Sequence, residues 1–376
     1  MPTGTSPRAR ALRLQSHGFR EPAADAVAVV ERLGALQAQD LGAAKWAIGS
    51  RMSQPSLAAV DVALADRRLV RSWPMRGTLH VMPARLLRPT LRLTSARVLA
   101  GARLRHERLE LGDAEYRRTR ESVEQSLAGG RTATRDELSA IWERAGIAPS
   151  GPRTYHLIWW LALDGVLCGG PVDGRQQHFA LLDEWSPSSP DDPDSREETL
   201  AALFAAYVAG HGPVTLADFA WWSGLTLRDA RTGLDAAGDA VEPVQEGSAA
   251  GDRARYVAAG VADAAANRPR GALALAAFDE YFLGYADRST VCDPSFADHV
   301  IPGGNGVFQP VLVLDGRIVG TWRRAGTAAK PRVELRWFGS PVAGATERFE
   351  RPIRVWAGFQ GLELHGIDET VLGPVG

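Results

Sequence analysis

The sequence predicts an α+β protein: three tandem helix–turn–helix units, each closed by a two-stranded β wing, and then a C-terminal β module resembling a small barrel. Two observations carry the first part. Capping signals open helix pairs at more than one place, and each pair runs into short apolar strands. A third carries the last part: after about Gly271 the texture changes to alternating strands with a strong hairpin signal. Helix, turn, helix and wing is the winged-helix pattern, and its repetition in one chain weighs more than any single copy.

The first unit, residues 1–125, is the least regular. Residues 24–34 and 56–65 read as helices, and 69–71 and 78–82 as wing strands around Pro74-Met75-Arg76-Gly77. The second unit, residues 126–190, is the clearest. Thr134-Arg135-Asp136-Glu137 has the spacing of a capping box, in which the Thr134 side chain and the Glu137 side chain each bond the other's main chain. A helix over 137–145 ends at Gly146, a Gly151-Pro152 turn leads into a helix over 153–163, and 166–168 and 179–182 form the wing across a polar stretch, 170–177.

The third unit, residues 191–270, follows a Ser- and Pro-rich linker, 186–198, that is too polar to join a core. Thr215 with Asp218 and Thr226 with Asp229 cap its helices, and 253–258 closes its wing. In the last module, residues 271–376, Asp315-Gly316 joins 311–314 to 317–319 as a tight hairpin, since both residue types tolerate positive φ. Residues 333–338 and 349–356 alternate as half-buried strands do, and the spacing of these short strands suggests a barrel. Gly303-Gly304-Asn305-Gly306 precedes a strand rather than a helix and reads as a loop, not a phosphate cradle.

The net charge of −1 hides an asymmetry: residues 1–120 carry 21 Lys and Arg against 10 Asp and Glu, and the remainder 22 against 34. A basic N-terminal third permits a nucleic-acid partner, although a solvated basic surface is the plainer reading of charge alone. Cys168 and Cys292 are too few for a disulfide framework, and no H-E-x-x-H or C-x-x-C spacing marks a metal site. No cofactor is implied. Residues 1–13 lack an apolar signal segment and no apolar run nears the roughly 20 residues of a membrane span, so the cytoplasm is expected. The two lysines, Lys45 and Lys330, rule out a P-loop, and G-x-S-x-G and G-x-G-x-x-G are also missing.

What remains is Leu36-Gln37-Ala38-Gln39-Asp40 in the basic third. Two amides at i and i+2 share a side of an extended strand, and together they can grip and orient one water molecule. Amides are poor bases, which disqualifies them for most hydrolyses. A purine alkylated at N7 or N3 is different: its ring is already cationic, and its glycosidic bond breaks through an oxocarbenium-like sugar. Such a reaction needs a placed water and some negative potential near the sugar, which Asp40 could help supply. As a bare string Gln-Ala-Gln is common, and amides bonding the loop backbone are its ordinary reading.

Several longer strings sharpen the picture. The Gln-Ala-Gln segment is followed by Trp46 and Arg51, and then by Arg71-Ser72-Trp73-Pro74-Met75-Arg76-Gly77-Thr78-Leu79-His80. Further on come Phe278-Asp279-Glu280-Tyr281, Tyr285-Ala286-Asp287-Arg288, Asn305-Gly306-Val307-Phe308 and Gly320-Thr321-Trp322-Arg323-Arg324. Over nearly its whole length the sequence resembles the AlkZ-type interstrand-crosslink DNA glycosylases, a family of tandem winged-helix proteins. Gln37-Ala38-Gln39 is similar to the Gln-aliphatic-Gln form of the family motif; broader-range members carry Gln-aliphatic-Asp. The resemblance implies a monofunctional glycosylase that uses water to release N7-alkylated or crosslinked purines, and self-resistance to an azinomycin-like natural product. Gln37 and Gln39 are then the catalytic pair.

On that reading the partner is double-stranded DNA carrying such lesions, and the protein is expected to act as a monomer. Arg51, Arg67, Arg68, Arg71, Arg76 and His80 in the first unit, and Arg323, Arg324, Lys330 and Arg332 at a C-terminal hairpin, are the candidate DNA contacts. Solvated or structural roles stay open for each. Asp279, Glu280 and Asp287 could supply carboxylate chemistry, although a structural role at a domain junction is the plainer reading, and Trp159-Trp160 and Trp221-Trp222 read as core. Lys45 is the nearest amine that could form a Schiff base, but its spacing from the glutamines favours another face. The rival class is a winged-helix transcriptional regulator with no catalysis.

Overall fold

The computed structural model describes residues 6–149, 151–174, 176–244, 254–264 and 268–374. The first unit opens with α1 (Pro7–Ser16) and α2 (Ala26–Leu33), followed by β1 (Leu36–Gln37), α3 (Leu41–Gly49), α4 (Leu57–Ala65), β2 (Leu69–Met75) and β3 (Thr78–Pro83). Asp25, Asp40 and Ser56 each accept a bond from the main chain three residues on, which fixes where the helices behind them start. A 25-residue helix, α5 (Ala84–Arg108), and α6 (Asp113–Leu127) then fill a stretch to which the sequence patterns give no elements.

The second and third stretches, 126–190 and 191–270, each hold helices followed by short strands. β4 (Thr132–Thr134), α7 (Arg135–Arg144), α8 (Arg153–Leu163), β5 (Leu167–Asp173), β6 (Gln176–Leu181) and the single turn α9 (Leu182–Trp185) form the second. The Thr134–Glu137 capping box is present, as are those of Thr215–Asp218 and Thr226–Asp229. The third unit consists of α10 (Arg196–His211), α11 (Leu216–Ser223), α12 (Leu227–Ala237), β7 (Val241–Pro243), β8 (Tyr256–Ala258) and α13 (Val261–Ala264). Glu198, the last residue of the expected linker, is the third residue of α10 and completes a capping box with Ser195. Arg253, at the start of the expected third wing, lies outside the described residues.

The strands of the first two stretches merge into one antiparallel sheet of order β1-β3-β2-β5-β6-β4. They join at the Arg71–Gly169 pair, where a Cβ on residue 169 would come 2.7 Å from the Arg71 carbonyl oxygen, so only glycine allows the approach. A core behind this sheet draws on all three units, with Met82 and Leu87, Leu138 and Trp142, and Phe204, Phe219 and Trp222 among its buried members.

The C-terminal module corrects the barrel expectation. β9 (Ala272–Leu275), β10 (Val311–Leu314), β11 (Arg317–Gly326), β12 (Pro331–Phe338) and β13 (Ile367–Leu372) form an open sheet of order β13-β12-β11-β10-β9, with only β12–β13 parallel. Asp315 and Gly316 both take positive φ in the hairpin turn, as their types require. Short turns α14 (Glu280–Leu283) and α15 (Ala297–Val300) cross between β9 and β10. Residues 349–356, expected as a strand, lie in helix α16 (Ala345–Phe359). Phe349, Ile353 and Trp356 are buried at a spacing of four and then three, which is the helical period; the shorter alternation within it misled the strand reading.

α16 and the C-terminal sheet pack on α2, α3 and α4, so Val29, Trp46 and Val60 share a second core with Leu335, Trp337 and Phe349. Each large side chain buried there contributes roughly 1.5–3 kcal/mol. β1 lies where the two cores meet: Ala35 belongs to the first, Leu36 and Ala38 to the second. The α3–α16 contact is tight enough to test. A Cβ on Gly49 would sit 2.4 Å from the Phe359 ring, so Gly49→Ala is expected to destabilise the protein by about 1–3 kcal/mol through overpacking. An unchanged thermal melting midpoint would show that the contact has slack. Among the described residues no helix is long and apolar enough to cross a membrane.

Candidate active site

β1 is an edge strand, paired on one side with β3 so that Gln37 stands opposite His80. Among the described residues no strand pairs with its outer edge, and the main-chain N–H of Gln37 donates instead to Glu280 Oε1 at 2.8 Å. The Gln37 side chain is 7% exposed, and its Oε1 accepts from Arg76 Nη2 at 3.3 Å. Gln39 is exposed, and its Oε1 accepts from the Leu79 main chain at 2.9 Å. Both amide oxygens are therefore fixed by one donor each, and each keeps a second lone pair. The two glutamines are not both hidden in apolar packing: one is at the surface and the other borders a guanidinium.

The turn between β2 and β3 aims that guanidinium. Arg76 and Gly77 both have positive φ there, and the Arg76 head lies 4.8 Å from the centre of the Trp221 ring. Arg288 lies the same distance from that ring. Burial lowers the pKa of Arg76 from its ordinary value, while the Glu280 charge acts in the opposite direction. A groove of about 380 Å³ opens beside Arg76, lined also by Arg97, Trp159 and Gly224.

The other expected site residues divide into struts and surface groups. Arg71 donates to the Ala38 carbonyl through Nε at 3.1 Å and Nη2 at 2.8 Å, and to Gln177 Oε1 at 3.1 Å, so it clamps the Gln-Ala-Gln backbone. Burial lowers its pKa to about 10, with Asp40 opposing, and it stays cationic near neutral pH. Arg51 corrects the expectation of a DNA contact. It is 1% exposed and forms a bidentate pair with Asp279, at 2.7 and 2.9 Å, out of reach of a phosphate. His80 is likewise fully buried, with Nδ1 2.9 Å from the Thr78 carbonyl and Nε2 without a protein partner. Burial first, and the Arg76 charge second, lower its pKa to about 4, so the ring is neutral.

Asp40 is exposed and caps α3 through Ala43 at 3.0 Å. Arg67 and Arg68 are exposed; Arg67 donates to the Glu184 carbonyl at 3.1 Å and lies 4.4 Å from the Trp185 ring centre. On the β11–β12 hairpin Arg323 pairs with Glu334 at 2.6 Å, and Arg332 with Asp368. Among the described residues no hydrogen bond or ion pair engages the exposed Arg324 and Lys330 side chains.

Sequence reasoning named Glu280 as a junction carboxylate but did not link it to the motif, beneath which it lies. Glu280 is fully buried, and its Oε2 accepts from the Trp222 indole at 3.0 Å and lies 3.3 Å from His211 Nε2. Burial pushes this carboxyl up, but bonds and charges from His211, His80 and the Gln37 main chain outweigh it and hold it below its ordinary value. The signals were two adjacent carboxylates, Asp279 and Glu280, within the string Phe278-Asp279-Glu280-Tyr281, and nothing local tied them to Gln37. Trp222 is core as expected, with Trp221 half-buried beside it.

Other nucleophiles are poorly placed. Burial pushes the thiols of Cys168 and Cys292 up to about 12. Lys45 pairs with Asp61 at 2.5 Å, and its side chain is 14% exposed. Among the described residues no three His, Cys, Asp or Glu side chains converge as a metal site.

The model of the AlkZ-like DNA glycosylase family matches residues 30–359. A curated relative, the interstrand DNA cross-link repair glycosylase of Streptomyces sahachiroi, is 28% identical over 302 residues, covering 78% of this chain and 81% of the relative. The solved structure of the Streptomyces sahachiroi DNA glycosylase AlkZ superposes with a TM-score of 0.78 at 25% identity, covering 97% of this chain and 99% of that one.

Proposed function

This chain belongs to the AlkZ-like DNA glycosylase family, and from that premise we propose that it hydrolyses the N-glycosidic bond of N7-alkylated or interstrand-crosslinked purines with a water held by Gln37 and Gln39. The observation that carries the reading is the pair of anchored amide oxygens at the sheet edge. Each has one lone pair left, so a water donating a hydrogen to each would present its own lone pair to the sugar carbon. The departing base is cationic and leaves as a neutral purine. The water's proton needs no strong base, which is why amides suffice here and would fail with an unmodified purine.

The three helix–turn–helix units with their wings, residues 1–125, 126–190 and 191–270, act on this reading as tandem winged helices that hold the duplex. The Arg324 and Lys330 charges reach toward its backbone from the C-terminal module. The biological role is self-protection against a DNA-crosslinking natural product of the azinomycin type.

An oligonucleotide carrying a single N7-methylguanine tests the chemistry. Incubation with the protein followed by hot alkali is expected to cut the strand at the lesion, and borohydride is expected to trap no covalent complex, because the amine nearest the motif, Lys45, is tied to Asp61. A trapped adduct would replace water by an amine as nucleophile. An intact strand, with DNA affinity that still falls steeply with salt, would leave the non-catalytic regulator.

A further inference from the structure

We propose that Glu280 is a positioning residue for the Gln37–Gln39 pair: its buried carboxylate fixes the Gln37 main chain and places a negative charge beneath the sugar as its base departs. This rests on the reading of the chain as a glycosylase acting through Gln37 and Gln39.

Three features support it. First, among the described residues no strand pairs with the outer edge of β1, and Glu280 Oε1 takes the Gln37 N–H there at 2.8 Å. Second, the carboxylate is fully buried yet held ionised by groups on other elements: the Trp222 indole of α11 donates to it, and His211 Nε2 of α10 lies 3.3 Å away. Structure alone would be served as well by an apolar contact, since burying a charge is costly even when it is paired. An ionised carboxylate with donors on both oxygens, directly under an amide that borders the reaction, is the arrangement expected where charge is wanted. Third, the residue that turns the chain into this position, Phe278, has φ 58°, a conformation that bulky side chains rarely take and that the surroundings must enforce.

The sugar becomes cationic as the bond to the base breaks. A sugar engaged by the Gln37 side chain would lie on the order of 6–9 Å from the Glu280 charge, close enough in a water-poor site to favour the cation over the ground state. Arg76 lies at the amide oxygen of Gln37 and Glu280 at its main chain, so the Glu280 charge works by offsetting the Arg76 cation that would otherwise oppose the sugar's. The carboxylate acts through the strand and its field; it takes no proton and forms no bond to the substrate.

Glu280→Gln keeps the shape and removes the charge. Single-turnover excision of N7-methylguanine at saturating enzyme is expected to slow about 10–100-fold, with lesion-DNA affinity within threefold of the parent. Glu280→Asp should recover part of the rate, because charge is restored and only distance is lost. If Glu280→Gln does not fold, Trp222→Phe takes its place. It removes one donor from the carboxylate and leaves the ring, and a drop of several-fold at unchanged affinity is expected. A folded Glu280→Gln, or in its place a folded Trp222→Phe, that excises at the parental rate overturns the proposal, as does Glu280→Asp no faster than Glu280→Gln. Absence of excision by the parent protein would instead refute the glycosylase reading beneath it.

Discussion

Gln37→Ala and Gln39→Ala are each expected to slow single-turnover base excision by about 10²–10⁴, with lesion-bearing DNA bound as tightly as before. The magnitude follows from what is lost. On the proposed mechanism a water fixed between two amide oxygens is already aligned with the sugar carbon, and removing either amide leaves it with one anchor and many orientations. Affinity should stay because, on the proposed reading, basic groups elsewhere hold the duplex, the exposed Arg324 and Lys330 among them. The two sites differ in one respect. Gln37 is 7% exposed and takes a bond from Arg76, so its loss also frees a guanidinium. Gln39 is exposed, and its loss frees only the Leu79 N–H. Gln39→Ala should therefore leave the melting temperature unchanged, making it the cleaner of the two. Loss of affinity in step with rate would mean that the amides bind DNA instead of placing water.

Arg51→Met is expected to lower stability by about 3–5 kcal/mol, the largest effect for a residue away from the chemistry. Its guanidinium donates to the His17 carbonyl at 3.1 Å, to the Ala47 carbonyl at 2.8 Å and to both oxygens of Asp279. It thereby ties the end of α1 and the end of α3 to the segment that carries Glu280. Methionine fills much of the volume but leaves a carboxylate that is 1% exposed without its cation. Burial, with the charges of Arg51, His211 and Arg13, keeps the pKa of His17 well below its ordinary value, so that neutral ring cannot take over the pairing. Denaturant titration checks the figure. A companion change of Asp279 to leucine should recover a good part of the loss, because the unpaired charge, more than the missing bonds, makes the single variant unstable. A stability loss under 1 kcal/mol for Arg51→Met would place water or an ion against Asp279.

Local signals were legible in the sequence and distant ones were not. Thr134, Thr215 and Thr226 announced three helix starts because a capping box is complete within four residues. Asp315-Gly316 announced its hairpin for the same reason. The strand expected at 349–356 failed because Pro352 and a short alternation concealed the wider spacing of Phe349, Ile353 and Trp356. The barrel failed with it, since the segment that might have closed the sheet is a helix covering one face. At the site, Gln37 and Gln39 stood out as two amides close together. Their supports did not, because Glu280 is 243 residues from Gln37 and Asp279 is 228 from Arg51. Arg51 looked like one more basic residue in a basic third. Its burial is set by the packing of α3 against the C-terminal module, which no local pattern records.

A duplex crosslinked through N7 of purines on opposite strands, incubated with the full chain and run on a denaturing gel, tests the central claim most directly. Parental protein is expected to convert the slow crosslinked species into separated strands, one with an alkali-labile abasic site, and the Gln37→Ala, Gln39→Ala double variant is expected to leave it intact. Persistence of the crosslinked species with the parental protein, under conditions where it binds the duplex, would contradict the claim.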